Sequence, residues 1–376
     1  MIFAGAFFLI LFFLFVEKLL HDRRLKKIQI RIHVNGTRGK TTVTRLIASR
    51  LRLAGIRTVA KITGDRALFI DPDGREEAIA RRAPSRIQEQ VRFVKRAARL
   101  GAQAIVVECM ALEPSLQYVS ESRMIRSTLG VITNVRPDHF EKMGNNLDEI
   151  AASLSRTVPQ QGVLVTADRP YFEYFRERAL EKGTQIRLAV SAAGDTNLFP
   201  ENLAVVETVC ACLGMPSVGP RMDGPERPLV WSIEHGEKHV YLVDAFSAND
   251  VESTCGIERA ALKNGSFPLP PFVALLNNRI DRPLRMRSFT SYLSNARLYD
   301  FVALTGDNVW LAGRSLRERG RAKGVFALES RTPEEVIEEI VRRVGKARFT
   351  VVGMGNHKGI GEGLRHLFET WGRPCS

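Results

Sequence analysis

Several features that mark whole classes of protein are missing from this sequence. Its five cysteines are an odd number without zinc-like spacing, so neither a disulfide framework nor a structural zinc site is expected. Basic and aromatic residues do not interleave as they do in single-strand binders, which argues against a nucleic-acid partner. No Ser-His-Asp or Cys-His arrangement stands out, so catalysis through a covalent nucleophile on the protein is not expected.

The bulk composition is that of a globular chain with a basic surface. A length of 376 residues suggests two domains, and 44% hydrophobic with 26% charged residues leaves no long region that looks disordered. The formal net charge of +14 is the unusual feature. A basic surface attracts nucleic acid, anionic lipid or an acidic substrate, and composition alone does not choose among them.

The chain begins with an uncharged apolar run, Met1–Val16, followed by basic residues up to Lys27. As a helix the run would cover roughly 24 Å, a little less than a ~30 Å hydrocarbon core. It lacks the basic start and small-residue cleavage site of a signal peptide, and the basic residues after it favour a cytoplasmic location for the rest of the chain. We predict a membrane anchor over residues 1–27, with a monotopic or partner-buried segment as the alternative.

A strand, a turn and a helix follow in direct succession between Ile28 and Ala54. Apolar residues alternate up to Val34, the period of a strand. The turn Gly36–Thr41 reads G-T-R-G-K-T, a shorter form of the phosphate-binding G-x-x-x-x-G-K-[ST] pattern. In such a loop Lys40 lies against the β- and γ-phosphates and the Thr41 oxygen reaches Mg²⁺, so the sequence predicts a nucleotide-binding protein.

Strands and helices alternate after this motif, which predicts a mostly parallel sheet with helices on both faces. Ser85–Gln88 is a candidate capping box for one of these helices. One apolar strand ends on Glu108, and the next is followed by Asn134, Asp138 and His139. Ligands of open α/β sheets bind at the carboxyl ends of the strands, so Glu108 and His139 are predicted to complete Mg²⁺ sites with Thr41.

Three motifs together resemble the Mur-ligase superfamily of ATP-dependent amide ligases: G-T-R-G-K-T at 36–41, E-C-M-A at 108–111 and N-V-x-x-D-H at 134–139. Within it the chain is most similar to the PgsB/CapB family of poly-γ-glutamate synthase subunits, which shares the hydrophobic N-terminus and the E-C-M-A tetrapeptide. The resemblance implies a P-loop Mur-ligase-like central domain, here 28–222, followed by a smaller Rossmann-like α/β domain, 223–376.

The resemblance also implies the site residues. Asn202 looks like the asparagine that contacts adenine, Asp244–Asp250 is similar to the D-x-x-A-x-N element, and Arg227, with Arg221 as alternative, is the candidate γ-phosphate arginine. The implied catalytic residues are Lys40, Glu108, His139 and Arg227; the implied metal ligands are Thr41, Glu108 and His139. Implied cofactor-binding residues are Gly36, Thr37, Arg38, Gly39, Lys40, Thr41, Thr42, Asn202, Asp244 and Asn249.

One position departs from the superfamily. Where the peptidoglycan and folate ligases carry a carbamylated lysine that helps to hold a second metal ion, this chain has Ser153. The number of metal ions is therefore left open.

The chemistry implied by the resemblance is ligation with ATP and Mg²⁺. ATP phosphorylates a γ-carboxylate, and the amine of glutamate attacks the mixed anhydride to extend poly-γ-glutamate at the cell membrane. Expected partners are glutamate, the growing chain, membrane lipid, and integral-membrane and anchored subunits of an export complex. Arg81, Arg82 and Arg86 are candidate guides for this polyanion. The alternatives are a nucleotide-regulated scaffold and a Mur or folylpolyglutamate-type ligase with a small-molecule acceptor.

Overall fold

The computed structural model describes residues 2–63, 67–80, 86–191, 200–216, 230–246, 248, 250–263, 269–320, 324–329 and 332–375. The chain divides into two compact units, Met1–Gly224 and Pro225–Ser376. The domain boundary predicted after residue 222 falls in a stretch outside the described residues and stays a prediction.

The first unit is built on a sheet whose strands run in the order β4-β3-β2-β5-β1-β6-β7-β8. Its strands are β1 (Ile30–Asn35), β2 (Thr58–Ile62), β3 (Leu68–Ile70), β4 (Glu76–Ala78), β5 (Ala104–Glu108), β6 (Leu129–Ile132), β7 (Val163–Thr166) and β8 (Gln185–Leu188). In the sheet, the six strands β2-β5-β1-β6-β7-β8 are all parallel to their neighbours, whereas β3 and β4 add an antiparallel edge beside β2. The predicted mostly parallel sheet is thus confirmed.

The helices of the first unit cover both faces of this sheet. They are α1 (Ile2–Lys27), α2 (Lys40–Leu53), α3 (Glu89–Arg99), α4 (Pro114–Val119), α5 (Phe140–Met143), α6 (Leu147–Leu154), α7 (Phe172–Glu181) and α8 (Pro200–Cys212), with a π-helical turn at Ser120–Ile125 and a 3-10 turn at Ser155–Thr157. Helix α3 begins at Glu89 without a side-chain cap, so the capping box expected at Ser85–Gln88 does not start it; Ser85 itself lies outside the described residues.

The central strands are buried on both faces because helices pack on each side. Every residue of β2 and β5 is buried, which explains why their apolar runs are continuous rather than alternating. On one face Val106 packs in a core with residues of α2 and α8. On the other face Ile105 shares a core with Leu25 of α1 and Phe93 of α3.

The register of β1 brings three strand ends together. Val34 pairs with Glu108 of β5 on one side and with Val131 of β6 on the other. Because all three strands are parallel, the segments that follow Asn35, Glu108 and Ile132 leave the sheet at the same edge. The fold therefore gathers the three sequence motifs of the first unit into one place.

Helix α1 has two different halves. Phe7–Phe15 present large apolar side chains to the surface, whereas His21 is buried and its Nε2 lies 2.8 Å from the carbonyl oxygen of Met124. No helix within the described residues has both the length and the apolar character needed to cross a membrane. The predicted anchor is therefore not supported by the described part of α1.

The second unit contains a sheet of strand order β13-β12-β11-β14-β10-β9-β15. Its strands are β9 (Val230–His235), β10 (Lys238–Asp244), β11 (Phe272–Asn278), β12 (Phe301–Gly306), β13 (Val325–Ala327), β14 (Arg348–Gly355) and β15 (Arg373–Cys375). Its helices are α9 (Val251–Lys263), α10 (Pro283–Asn295), α11 (Val309–Glu318), α12 (Pro333–Val344) and α13 (Ile360–Trp371). Strands β10 to β14 are parallel, and β9 and β15 are antiparallel additions at one edge.

Candidate active site

The turn between β1 and α2 depends on two glycines with positive φ. Gly36 has φ of 123° and Gly39 has φ of 81°, where a side chain is strained. A Cβ at Gly36 would also collide with the Thr133 hydroxyl and lie 2.8 Å from the Thr133 backbone nitrogen. The loop therefore takes this shape because glycine stands at both positions.

The loop is held from the end of β6. The Asn134 side-chain oxygen accepts from the Thr37 hydroxyl at 2.7 Å and from the Arg38 amide at 3.0 Å. The Thr133 hydroxyl donates to the carbonyl of Arg38 at 2.6 Å. The N-V-x-x-D-H motif thus begins with the residue that fixes the loop backbone, a role that its spacing alone did not indicate.

Lys40 places a cation at the centre of the loop. It is the first residue of α2, and its Nζ donates to the carbonyls of Gly36 at 2.7 Å and Thr37 at 3.3 Å. The N-terminus of α2 carries unsatisfied N–H groups and the positive end of the helix dipole. Ammonium, amides and dipole together make a site for phosphate.

Thr41 and Glu108 meet beside this lysine. The Thr41 hydroxyl donates to Glu108 Oε2 at 3.1 Å, and the Thr63 amide donates to the same oxygen at 2.8 Å. Glu108 is 3% exposed. Both hydrogen bonds described for this carboxylate end on Oε2, which leaves Oε1 for a cation.

The oxygen donors of Thr41 and Glu108 fit Mg²⁺. This ion prefers oxygen ligands and is usually held by one or two protein groups together with substrate phosphates and water. In the described part of the chain, no group of three or more His, Cys, Asp or Glu side chains is arranged to hold a metal ion. The Thr41 hydroxyl and the Glu108 carboxylate fit a cation whose remaining ligands are phosphate oxygens and water.

His139 lies at the start of α5 with a positive φ of 45°. Its Nε2 is 3.7 Å from Asp138 Oδ2, and its Nδ1 is 3.5 Å from Glu141 Oε1. Asp138 in turn pairs with Arg38 of the loop at 3.0 Å, a contact that sequence reasoning missed. The D-H dipeptide is thereby tied to the loop, while direct participation of His139 beside Thr41 and Glu108 stays a prediction.

Asn202 lies in the first turn of α8 and packs against the loop. It is 9% exposed, and a Cβ at Gly39 would lie 2.9 Å from its Cγ. The expected helix start near this residue is confirmed. Thr42, the last of the predicted loop residues, is exposed on α2.

Ser153 belongs to a buried network under the loop. Its Oγ accepts from Gln117 Nε2 at 2.9 Å, and Gln117 Oε1 accepts from Asn35 Nδ2 at 2.7 Å. Asn35 Nδ2 also donates to the Thr157 hydroxyl at 3.0 Å. Ser153 is thus joined through the Gln117 amide to Asn35, the residue that precedes Gly36.

A buried ion pair lies further back on β1. His33 Nδ1 is 2.7 Å from Glu121 Oε2 in the π-helical turn, and the Ser127 hydroxyl donates to Glu121 Oε1 at 2.8 Å. Burial disfavours the charged ring, but the Cys109 thiol and the Glu121 carboxylate outweigh it and raise the pKa of His33 to about 10. The raised pKa favours the protonated ring, which can donate from Nδ1 to Glu121 Oε2.

The second unit contains part of the predicted set. Burial raises the pKa of Asp244, and the Arg365 guanidinium 3.9 Å away opposes the shift. Asn277 at the end of β11 and Asn356 after β14 exchange side-chain-to-carbonyl hydrogen bonds of 2.6 and 2.8 Å. Other predicted positions lie outside the described residues: Arg221, Arg227 and Asn249, and the loop arginines Arg81 and Arg82 of the first unit.

Comparison with known proteins matches both units. Residues 34–209 match the Mur ligase middle domain, and residues 230–370 match the poly-gamma-glutamate synthase CapB C-terminal domain. The chain is 31% identical over 370 residues to PGA synthase CapB of Bacillus subtilis (strain 168), covering 93% of this chain and 92% of that protein. It is 35% identical over 290 residues to the capsule biosynthesis protein CapB of Bacillus anthracis, covering 73% of this chain and 62% of that protein.

A solved structure shares the fold at low identity. A bifunctional folylpolyglutamate synthase/dihydrofolate synthase with Mn, AMPPNP and L-glutamate bound has a TM-score of 0.62, covers 93% of each chain and is 13% identical in sequence. Together with the matched domains, this shows a Mur-ligase-like α/β fold.

Proposed function

Because the chain belongs to the CapB family of poly-γ-glutamate synthases, we propose that it is an ATP-dependent amide ligase. It activates a γ-carboxylate as an acyl phosphate and joins it to glutamate, which lengthens poly-γ-glutamate. The observation that carries the proposal is that Lys40 and the hydrogen-bonded Thr41–Glu108 pair lie together at the N-terminal end of α2. A phosphate-binding loop beside a carboxylate suited to a divalent cation is the apparatus that phosphoryl transfer requires.

The loop binds and orients the triphosphate. Amides at the start of α2 and the Lys40 ammonium hold phosphate oxygens and place the γ-phosphorus in line with the incoming carboxylate oxygen. A divalent cation, held by Thr41, Glu108 and phosphate oxygens with His139 as a further candidate ligand, would neutralise charge on the transferred group. The carboxylate oxygen bonds to the γ-phosphorus as ADP leaves. The neutral glutamate amine then attacks the acyl carbon, phosphate leaves with the bonding electrons of the anhydride, and the amine proton goes to the departing phosphate.

The remaining assignments belong to the same proposal. Asn202 contacts the adenine, supported by its place beside Gly39. Residues 28–222 are assigned as the nucleotide-binding domain and 223–376 as the second ligase domain, and Asp244 and Asn249 of the latter keep the nucleotide-binding roles that the family resemblance implies. Arg227 binds the γ-phosphate.

We place this activity at the membrane, with glutamate and the growing polyanion as substrates. The relative from Bacillus anthracis is named a capsule biosynthesis protein, and a capsule is a surface polymer. The exposed apolar side chains of Phe7–Phe15 support contact with lipid or with integral-membrane and anchored partner subunits. The net charge of +14 suits a product with one carboxylate per unit.

Lys40→Ala in the full-length chain tests the proposal. Membrane fractions carrying the protein and its partners are incubated with ATP, Mg²⁺ and glutamate, and ADP release and the glutamate-containing polymer are measured. We expect wild type to release ADP only with glutamate present, and Lys40→Ala to lose this activity while keeping its far-UV circular dichroism spectrum.

Lys182→Ala is the matched control, because it removes another lysine of the first unit that donates to a backbone carbonyl, that of Val158 at 2.7 Å. It should retain the activity. Wild type without glutamate-dependent ADP release would instead support a nucleotide-regulated scaffold, and activity retained in Lys40→Ala would contradict the role given to the loop.

A further inference from the structure

Lys61 of β2 is the largest fully buried side chain of the described residues, with 0% exposure. A lysine is almost never buried this deeply unless its charge is paired and its N–H groups are hydrogen-bonded. Nothing in the ligase chemistry above uses this residue.

Acceptors from two other segments surround the Lys61 ammonium. Its Nζ lies 3.2 Å from Glu89 Oε2, 3.1 Å from Gln90 Oε1 and 3.5 Å from Met110 Sδ. Glu89 and Gln90 are the first two residues of α3, and Met110 follows Glu108 by two positions. An ammonium has three donors, so one side chain can join all three groups.

Lys61 is connected to the chain both before and after Glu108. In the parallel β2–β5 pairing, Lys61 is the register partner of Val107, the residue before Glu108. Two residues after Lys61, the Thr63 amide donates to Glu108 Oε2 at 2.8 Å. Through Met110, Lys61 holds the chain that leaves Glu108, and through β2 it holds the amide that orients the carboxylate.

We propose that Lys61 is a positioning residue that fixes Glu108 for the divalent cation of the nucleotide complex. The inference rests on the proposed function, because that function assigns the cation to Thr41 and Glu108. Neutralising both partners of a buried ion pair costs little net stability, whereas removing one partner leaves the other charge uncompensated and is strongly destabilising. A variant that removes the charges of both Lys61 and Glu89 should therefore alter cation binding more than it alters folding.

The test measures Mn²⁺ binding to the complex of the full-length protein with ADP, using the electron paramagnetic resonance signal of free Mn²⁺. Lys61→Met keeps the volume of the side chain and removes the charge. We expect the half-saturating Mn²⁺ concentration to rise about tenfold, the lower end of the effect of removing groups that orient metal ligands. The thermal midpoint should fall, because Glu89 keeps a largely buried carboxylate without the Lys61 charge.

Two further variants make the result decisive. Lys182→Met removes a half-buried lysine that donates to the Val158 carbonyl, and it should leave Mn²⁺ binding unchanged. The double variant Lys61→Met/Glu89→Gln also removes the carboxylate charge that Lys61→Met leaves without the Lys61 ammonium, and it should fold while binding Mn²⁺ as weakly as the single variant.

Wild-type Mn²⁺ binding in folded Lys61→Met and in the double variant would overturn the proposal. Failure of both variants to fold would overturn it as well, since Lys61 would then serve stability. A wild-type complex that binds Mn²⁺ but shows no glutamate-dependent ADP release would refute the proposed function alone, because the binding assay needs no turnover.

Discussion

Replacing Gly39 by alanine tests whether the loop conformation and its contact with α8 are both required. Gly39 has φ of 81°, and a Cβ there would collide with the Asn202 side-chain oxygen and lie 2.9 Å from its Cγ. Asn202 is 9% exposed, so its amide has little room to move aside. The substitution therefore adds backbone strain and a side-chain clash at the phosphate loop.

Gly55, which follows the other end of α2, separates these two effects. Its φ of 77° nearly equals that of Gly39, but a Cβ there would meet nothing within 4 Å. Gly55→Ala should cost only the left-handed strain of about 1–2 kcal/mol. Gly39→Ala should cost this strain plus about 1–3 kcal/mol of overpacking.

The assay is urea unfolding of the full chain followed by far-UV circular dichroism, together with titration of each variant with ADP. Gly39→Ala should unfold at lower urea than Gly55→Ala and bind ADP more weakly, because only Gly39 lies at the phosphate-binding end of α2. Adding Asn202→Ala should recover the overpacking part in Gly39→Ala and nothing in Gly55→Ala. Equal losses in the two glycine variants, or no recovery with Asn202→Ala, would refute the reasoning.

Three further predictions follow from contacts described above. The pKa of His33 is raised in the folded protein, so the folded state holds this proton more tightly than the unfolded state. The resulting stability is fully present below pH 6.5 and is lost as the pH rises towards about 10. In that window the unfolding free energy should fall by about 1.4 kcal/mol per pH unit. Urea titrations between pH 7 and 9.5 should give a shallower slope in Glu121→Gln, and equal slopes would contradict the ion pair. Glu108→Gln keeps an acceptor for its two donors but loses the charge, so the Mg²⁺ concentration for half-maximal ADP release should rise; unchanged Mg²⁺ dependence would remove Glu108 from the metal site. Thr332→Ala removes the N-cap acceptor of α12 and should lower the unfolding free energy by about 0.5–2 kcal/mol. Tryptophan fluorescence can follow this unfolding, because all three tryptophans lie in the second unit. An unchanged unfolding transition would show that the cap does not stabilise the protein.

The sequence predicted those parts of the site that depend on local pattern. Alternation up to Val34, the glycines of the loop and the periodic helix after Lys40 are each encoded within a few residues, and the structure contains all three. The capping box at Thr332 is encoded in the same local way, and the structure contains it. Strand ends at Glu108 and Asn134 followed from continuous apolar runs.

Contacts between distant segments were not predictable in this way. Asn35 meets Gln117 and Thr157, which are 82 and 122 positions away, and no local period relates them. Strands β3, β4 and β15 of the antiparallel edges were missed because each is only three residues long, too short for a periodic signal. Lys61 was missed because a single lysine in an apolar strand gives no sign of partners on another helix.

The central position of β1 has a consequence for how the protein is made. Both hydrogen-bonded neighbours of β1, strands β5 and β6, come later in the chain, and β6 ends only at Ile132. At about 5–20 residues per second, a ribosome needs roughly 5–20 s to deliver the hundred or so residues from Asn35 to Ile132. During that time β1 lacks one or both of its neighbouring strands, and the apolar side chains Ile30, Ile32 and Val34 are incompletely covered. The nucleotide loop is thus translated early but acquires its shape late, and the nascent chain presents its future active-site strand to chaperones before it can bind ATP.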